Sequence, residues 1–363
     1  MRRVCLLLLS LGFPLFAQSQ PRVVRIGVLG IFHPHELTIA ADPTGELMIA
    51  AGGQKIFLQQ GSDCSLLRVR SAGDNVLLSC GSMEMRGAEL HASGRNQQSA
   101  AIVLTLPGKI KRRYVGVLEL KAKHGELSPI ITMDLETAVA SVVQAETTPG
   151  TPLEALKAQA IVSRSYFVSG GGRHSEFDFC DLTHCQFLRE PPASDSPTAK
   201  AAASTQGLVL TYEEKPVAAM FTRSCGGRTR TPEEIRVPQN GYPYYSVRCD
   251  FCYNNPVRWT RNVSREDAAL LRLRGENGRL AIGRRRGWNA VPSNNFTAQE
   301  AGGEVTLSGV GQGHGVGLCQ RGARGMAESG SDFRAILEHY FPNTRLVALP
   351  AVERSSFSES PRD

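Results

Sequence analysis

The chain has 363 residues, 41% of them hydrophobic and 21% charged. That is enough apolar material for a sizeable core and for two units, and it excludes a chain that is disordered throughout or collagen-like. The formal charge of +7 is a modest basic excess that suits an anionic cell wall or membrane, or plain solubility; the basic runs "KIKRR" and "GRRRGW" are too short to make nucleic acid a good partner.

The first element is "MRRVCLLLLSLGFPLFAQSQ". Two arginines, a short apolar run and Leu15-Phe16-Ala17 read as a secretory signal peptide over residues 1–17, with a mature chain starting near Gln18. The run is too short for a comfortable membrane span, and no later segment is apolar enough, so no transmembrane segment is expected after cleavage. The expectation is an exported protein, periplasmic or associated with the cell wall. Cleavage removes Arg2 and Arg3, lowering the formal charge from +7 to +5, and removes Cys5, so nine cysteines become eight. An even number is what disulfides would leave in an exported chain.

From Val23 to about Lys123 come short alternating runs such as "VVRIGVLGIF", "ELMIAA", "NVLLSC" and "RYVGVLELKA", separated by turn residues. They predict a small N-terminal β unit, taken as residues 22–110. Cys64 and Cys80 flank one turn and can pair there. Helical spacing begins at Leu135, and a mixed region with several strands follows from about Leu208. Residues 255–300 are rich in Arg, Gly and Asn, with a weak helix at "REDAALLRLR" and a basic turn. A helix at "DFRAILEHYF" closes a unit spanning 111–347, and the polar tail 348–363 is expected to be disordered. The fold class is α+β, a helical segment packed on mixed β structure beside the small β unit. No internal repeat is present.

In the first predicted helix, apolar residues recur at Leu135, Val139 and Val142, and the next position on that stripe is Glu146. Its side chain points where the core-facing residues point. Burial would raise its pKa, and a carboxylic acid held protonated near neutral pH is what a general acid needs. The other reading ends the helix at Glu146 with its carboxylate in water. The second helix has Thr151, Pro152 and Glu154 at the positions of a capping box with proline at the first helical residue. That gives Glu154 a structural task. Arg164 and Tyr166, further along, either lie on the surface or face a cleft with Glu146.

"RHSEFDFCDLTHCQF" holds His174, Cys180, His184 and Cys185. Two thiolates and two imidazoles are a plausible tetrahedral zinc set; the alternative is a Cys180–Cys185 disulfide with two incidental histidines. Four protein ligands would leave no open position, which makes such a zinc structural, with no cofactor required for catalysis. "LSGVGQGHGVGLCQRGARG" is glycine-rich but lacks a Gly-Lys-Ser/Thr and a βαβ setting, so it is not a nucleotide loop. Its glycines serve unusual backbone angles and close ligand approach, and His314 at its centre either lines a cleft or packs in the loop. Cys225, Cys249, Cys252 and Cys319 form a second group of four, disulfides or a second metal site.

Taken in order, these segments resemble the SpoIID/LytB family of bacterial cell-wall proteins. An acidic helix end is followed by "PLEALKAQA", "SRSYF", "FCDLTHCQF", "SCGGRT" with "YPYYSVRCD", "GHGVGLCQRGA" with "MAESG", and "ILEHYFP". The likeness runs over roughly residues 110–347. It implies a catalytic domain over 111–347 whose activity is either that of a lytic transglycosylase cutting peptidoglycan glycan strands or that of a non-catalytic enhancer of a cell-wall amidase. By motif position, Glu146 matches the catalytic glutamate, Arg164 and Tyr166 the cleft arginine and tyrosine, and His174, Cys180, His184 and Cys185 a loop that binds structural zinc in some members. His314 is expected to line the substrate cleft. The sequence departs from the family pattern at Thr147-Thr148, where Met-Pro is usual, and at Arg321, where tyrosine is usual. The implied chemistry needs one carboxylate: it protonates the leaving oxygen, then accepts the proton of the sugar's own 6-hydroxyl, giving a 1,6-anhydro end. A metallohydrolase built on the Cys/His cluster is the remaining, weaker reading.

Overall fold

The computed structural model describes residues 22–170, 174–183, 185–238 and 241–350. The expected signal peptide, residues 351–363 of the expected tail, and His184 lie outside them.

The alternating runs of the N-terminal half form one sheet around a 14-residue strand, Ile110–Lys123. Residues 110–116 of this strand pair with Ala100–Leu106 and residues 117–123 with Glu126–Asp134; around 118–121 the strand is also paired with Glu89–Ser93. The sheet therefore forks. One branch continues through Glu36–Ala41, Leu66–Ala72, Asn75–Cys80 and Met83–Gly87, another through Glu46–Ala51 and Gln54–Gln59, and a third through Val23–Gly27 to the short strand Phe179–Cys180. Gly116 sits where the partners change. A Cβ there would stand 2.5 Å from the Thr132 carbonyl oxygen and 2.8 Å from Ile131 Cγ2, so only glycine lets the strands approach this closely. Tyr114, Leu118, Leu120 and Ala122 alternate into the core. The sheet does not stop at residue 110: both strands up to Asp134 carry the same alternation and belong to it. The expected Cys64–Cys80 disulfide is formed.

Helix α1 (Leu135–Glu146) follows directly. Its first turn is capped by the Asp134 carboxylate, which accepts from the backbone N–H groups of Glu136 and Thr137 at 2.9 and 3.1 Å. Helix α2 (Leu153–Val168) is buried almost all round from Ala155 to Phe167. One side, with Leu156, Ala160 and Phe167, joins the core of the sheet and α1, while Ala155, Ala158, Ile161 and Val162 join a second core. Small residues suit a helix squeezed between two layers. The expected capping box does not form. Pro152 is the N-cap and Thr151 Oγ donates to the Thr148 carbonyl, while Glu154 reaches instead to the backbone N–H of Phe333 at 2.9 Å and to Lys157 at 2.7 Å. Glu154 thus caps another helix rather than its own.

Helix α3 (Pro197–Ser204) packs on α1 and α2. The second core lies among α2, α4 (Asp250–Asn254), the parallel pair Phe221–Thr222 and Leu318–Cys319, and two later helices described below. A third, smaller core joins α5 (Arg265–Arg274) and α6 (Glu276–Arg286) to the antiparallel strands Arg258–Val263, Glu304–Val310 and Phe296–Ala301. The expected weak helix is α5; the expected basic turn is instead the end of α6. Only Leu280 and Ile282 of α6 are strongly apolar, so its sequence carries little periodicity. It is held by the Glu276–Arg279 ion pair and by Gly283 packed against the Trp288 ring. Helices α7 (Gln320–Glu328) and α8 (Phe333–Tyr340) and the strand Arg345–Ala348 complete an α+β fold. No helix among the described residues is long and apolar enough to cross a membrane.

Candidate active site

Leu135, Val139 and Val142 are buried along α1, and Glu146, next on the same stripe, is half-buried at the helix end. Burial pushes its carboxyl up to about 7, against the opposing positive charges of Arg223 and Arg189. The helix end is held firmly. Thr147 Oγ donates to the Val143 carbonyl at 2.6 Å, and Gln320 Nε2 donates to the Glu146 carbonyl at 3.3 Å and to Gln159 Oε1 at 3.4 Å.

Glu146 stands where two cavities, of about 490 and 660 Å³, meet. Both are lined by Glu146, Arg223, Gln312 and Gln320, so they form one continuous groove. The first arm is bounded by Thr147, Phe251 and Arg321, whose guanidinium lies 5.6 Å from the Phe251 ring centre. The second is bounded by Tyr166, His314, Trp288 and the Glu276–Arg279 pair. Two carboxylates thus face the second arm in different states. The Arg279 guanidinium and the Asn294 amide bond to Glu276 and hold its carboxyl below the usual range despite burial, whereas Glu146 is raised. The surroundings thus push the two carboxyls in opposite directions.

Tyr166 lines the groove and packs on Phe179, ring centres 5.7 Å apart. His314 also lines it. Its Nδ1 accepts from the Val316 N–H at 3.0 Å, so in the neutral ring the proton is on Nε2, and burial keeps the ring below its usual pKa. The glycines around it adopt the left-handed backbone the sequence suggested, with φ of 92° at Gly313 and 86° at Gly315. Arg164 is placed differently. Its guanidinium is fully buried, chelates Glu136 at 2.6–3.1 Å, and donates to the carbonyls of Leu208 and Ala202. It braces α1, α2 and α3 from inside and does not line the groove. An exposed cation that lines the groove beside Glu146 is Arg223, which sequence reasoning missed. The available signal was its place in "FTRSCGG", between a strand and a buried cysteine.

His174, Cys180 and Cys185 bring one nitrogen and two sulfurs within 4.8 Å of one another, with His174 Nε2 3.3 Å from Cys185 Sγ. This soft N/S donor set suits zinc. Cys185 also lines the groove, so the cluster borders the site.

A family model described as SpoIID, Stage II sporulation protein, matches residues 123–212, which include α1, Glu146 and the Cys/His loop. A Stage II sporulation protein D of Bacillus amyloliquefaciens is 29% identical over 57% of this chain and 72% of its own length. An uncharacterized protein of Brachyspira hyodysenteriae is 27% identical over 64% of this chain and 72% of its own. An amidase enhancer of Bacillus subtilis is 37% identical over a shorter stretch, 17% of this chain and 9% of its own length. The order of motifs along the chain and the half-buried glutamate at the matched helix end agree with these similarities to SpoIID and amidase-enhancer proteins.

Proposed function

We propose that the protein remodels peptidoglycan and that it does so as a lytic transglycosylase, with Glu146 as the acid and then the base. The observation that carries this reading is a single raised carboxyl at the junction of two arms of a groove, with the neighbouring Glu276 tied up by Arg279. A glycan strand laid along the groove would put one glycosidic bond beside Glu146. The protonated carboxyl gives its proton to the leaving oxygen as positive charge develops on the sugar. The same carboxylate, now ionised, accepts the proton of that sugar's 6-hydroxyl as the oxygen closes on the anomeric carbon. The internal nucleophile takes the place of water and of a second carboxylate. Arg223 is placed to hold the polar substrate beside Glu146, and Tyr166 and His314 to bound the second arm. Zinc held by His174, Cys180 and Cys185, with His184 as the fourth ligand, would supply rigidity to the loop that borders the groove and no step of the reaction. Export to the periplasm or cell wall belongs to this reading.

The similarity to an amidase enhancer favours a second reading, in which the groove binds glycan without cleaving it and the protein stimulates a cell-wall amidase. One experiment separates them: incubation of the purified protein with denuded and with intact glycan strands, alone and with an amidase, followed by mass analysis. Released 1,6-anhydro ends, about 18 Da lighter than the hydrolysed ends water would give, support the enzyme. Intact strands with a faster amidase support the enhancer, and reducing ends would show a hydrolase instead.

A further inference from the structure

Four cysteines far apart in the sequence converge beneath the first arm of the groove. Cys225 follows the strand Phe221–Thr222, Cys249 and Cys252 flank the start of α4, and Cys319 directly precedes α7. All four are buried, 0–2% exposed, and their sulfurs lie within 4.8 Å of one another. We propose that Cys225, Cys249, Cys252 and Cys319 form a tetrathiolate site for one structural zinc ion, which pins together the three segments carrying Arg223, Phe251, Gln320 and Arg321.

The geometry points to a metal rather than to two disulfides. Cys252 and Cys319 sulfurs are 3.5 Å apart. A disulfide needs about 2.05 Å, whereas Zn–S bonds of about 2.3 Å in a tetrahedron put the sulfurs about 3.8 Å apart. The surroundings are those of thiolates. Cys319 Sγ is the acceptor for the backbone N–H groups of Cys225 and Gly322 at 3.3 and 3.4 Å. Tyr340 Oη lies 3.3 Å from Cys249 Sγ and Ser224 Oγ 3.5 Å from Cys252 Sγ, each placed to donate. Donors of this kind orient metal-bound sulfur and spread its charge. Space is kept for the cluster by Gly322, where a Cβ would stand 1.9 Å from Tyr340 Oη and 2.5 Å from Cys249 Sγ. Binding exchanges up to four thiol protons for one Zn²⁺, leaving a tetrathiolate centre of net charge −2.

The groove depends on this cluster through short tethers. Arg223 is two residues before Cys225, Phe251 lies between Cys249 and Cys252, and Gln320 and Arg321 follow Cys319. The site is separate from the one at His174, Cys180 and Cys185, and the two can be measured apart. Purified full-length protein and its Cys185→Ser variant are assayed for zinc by elemental mass spectrometry and for cysteine state by peptide mapping without reduction. The expected result is one equivalent of zinc retained by Cys185→Ser and lost by Cys319→Ser. In the wild-type chain, Cys225, Cys249, Cys252 and Cys319 should be alkylated only after denaturation with a chelator. Cobalt in place of zinc should give the intense visible bands of a tetrahedral tetrathiolate centre, a readout that needs no variant to fold. Amide exchange at 223–225, 249–252 and 318–322 should speed up on chelation in the Cys185→Ser background, where only this cluster can release metal. A zinc-free Cys185→Ser chain, disulfide-linked peptides among the four cysteines, or unchanged exchange would overturn the proposal. None of these readouts uses glycan cleavage, so they stand or fall apart from the transglycosylase reading.

Discussion

Replacing Glu146 with glutamine should affect activity and stability in opposite directions. Glutamine keeps the shape of the side chain but has no proton to give, so glycan cleavage should fall by about 10²–10⁴, the usual contribution of a general acid. The stability effect follows from the raised carboxyl. Folding lifts it from the ordinary 4.5 to about 7, a gap that at about 1.4 kcal/mol per pH unit corresponds to about 3 kcal/mol. Below pH 4.5 the folded and unfolded forms are both protonated and the site costs nothing. Between 4.5 and about 7 the unfolded chain gives up a proton that the folded chain keeps, so stability falls as pH rises. Above about 7 both are ionised and the whole cost is present. Glutamine removes that cost. Glu146→Gln should match the wild type near pH 4 and exceed it by about 3 kcal/mol near pH 8, which is several degrees in Tm. Differential scanning calorimetry from pH 4 to 9, beside a strand-cleavage assay, reads both effects. The reasoning is refuted if the variant cleaves within about tenfold of wild type, or if the stability difference does not change with pH.

Other substitutions separate structure from chemistry. Arg164→Ala should cost about 3 kcal/mol or more by urea denaturation, because it removes the cation that chelates the Glu136 carboxylate and the donors to the Leu208 and Ala202 carbonyls. Arg164→Lys should recover only part of this, since an ammonium cannot chelate the carboxylate. Arg223→Ala should leave Tm unchanged and move the alkaline limb of the pH–rate profile of kcat/KM upward, because its charge holds the Glu146 carboxyl down; an unmoved limb would place Arg223 outside the site. Glu154→Gln should lose about 1 kcal/mol through the weakened cap at Phe333 and leave cleavage rates as they are. Cys185→Ser should lower zinc content and Tm together, and a metal-free wild-type protein with a mapped Cys180–Cys185 disulfide would refute the metal site.

Much of this molecule is legible one segment at a time. The alternation of the N-terminal runs predicts strands, and the Leu135, Val139, Val142 stripe aims Glu146 inward without any knowledge of what it will meet. The Cys64–Cys80 pair is visible because both residues flank one turn. Such signals are periodic or local, and backbone geometry alone converts them into direction. The same geometry says nothing about partners. "SRSYF" leaves open whether Arg164 faces substrate or core, and the answer is set by Glu136, 28 residues away, and by two carbonyls on other elements. "TPLE" satisfies the pattern of a capping box, yet Phe333 at the start of α8 competes successfully for Glu154.

The site shows the same division. Sequence determined that a carboxylate would lie on the buried stripe of a helix. Tertiary structure decided its surroundings: burial that raises its pKa, Arg223 and Gln320 beside it from segments far along the chain, and a second carboxylate, Glu276, neutralised by Arg279. Helix α6, which brings Glu276 there, has too few apolar residues to reveal its period and is held by contacts made only in the folded state. Four cysteines spread from residue 225 to 319 become one cluster only when the loops that carry them are packed. A side chain's direction is a property of its own few turns of backbone, whereas its pKa, its partner and its ligand set depend on what the rest of the chain brings within a few ångströms of it.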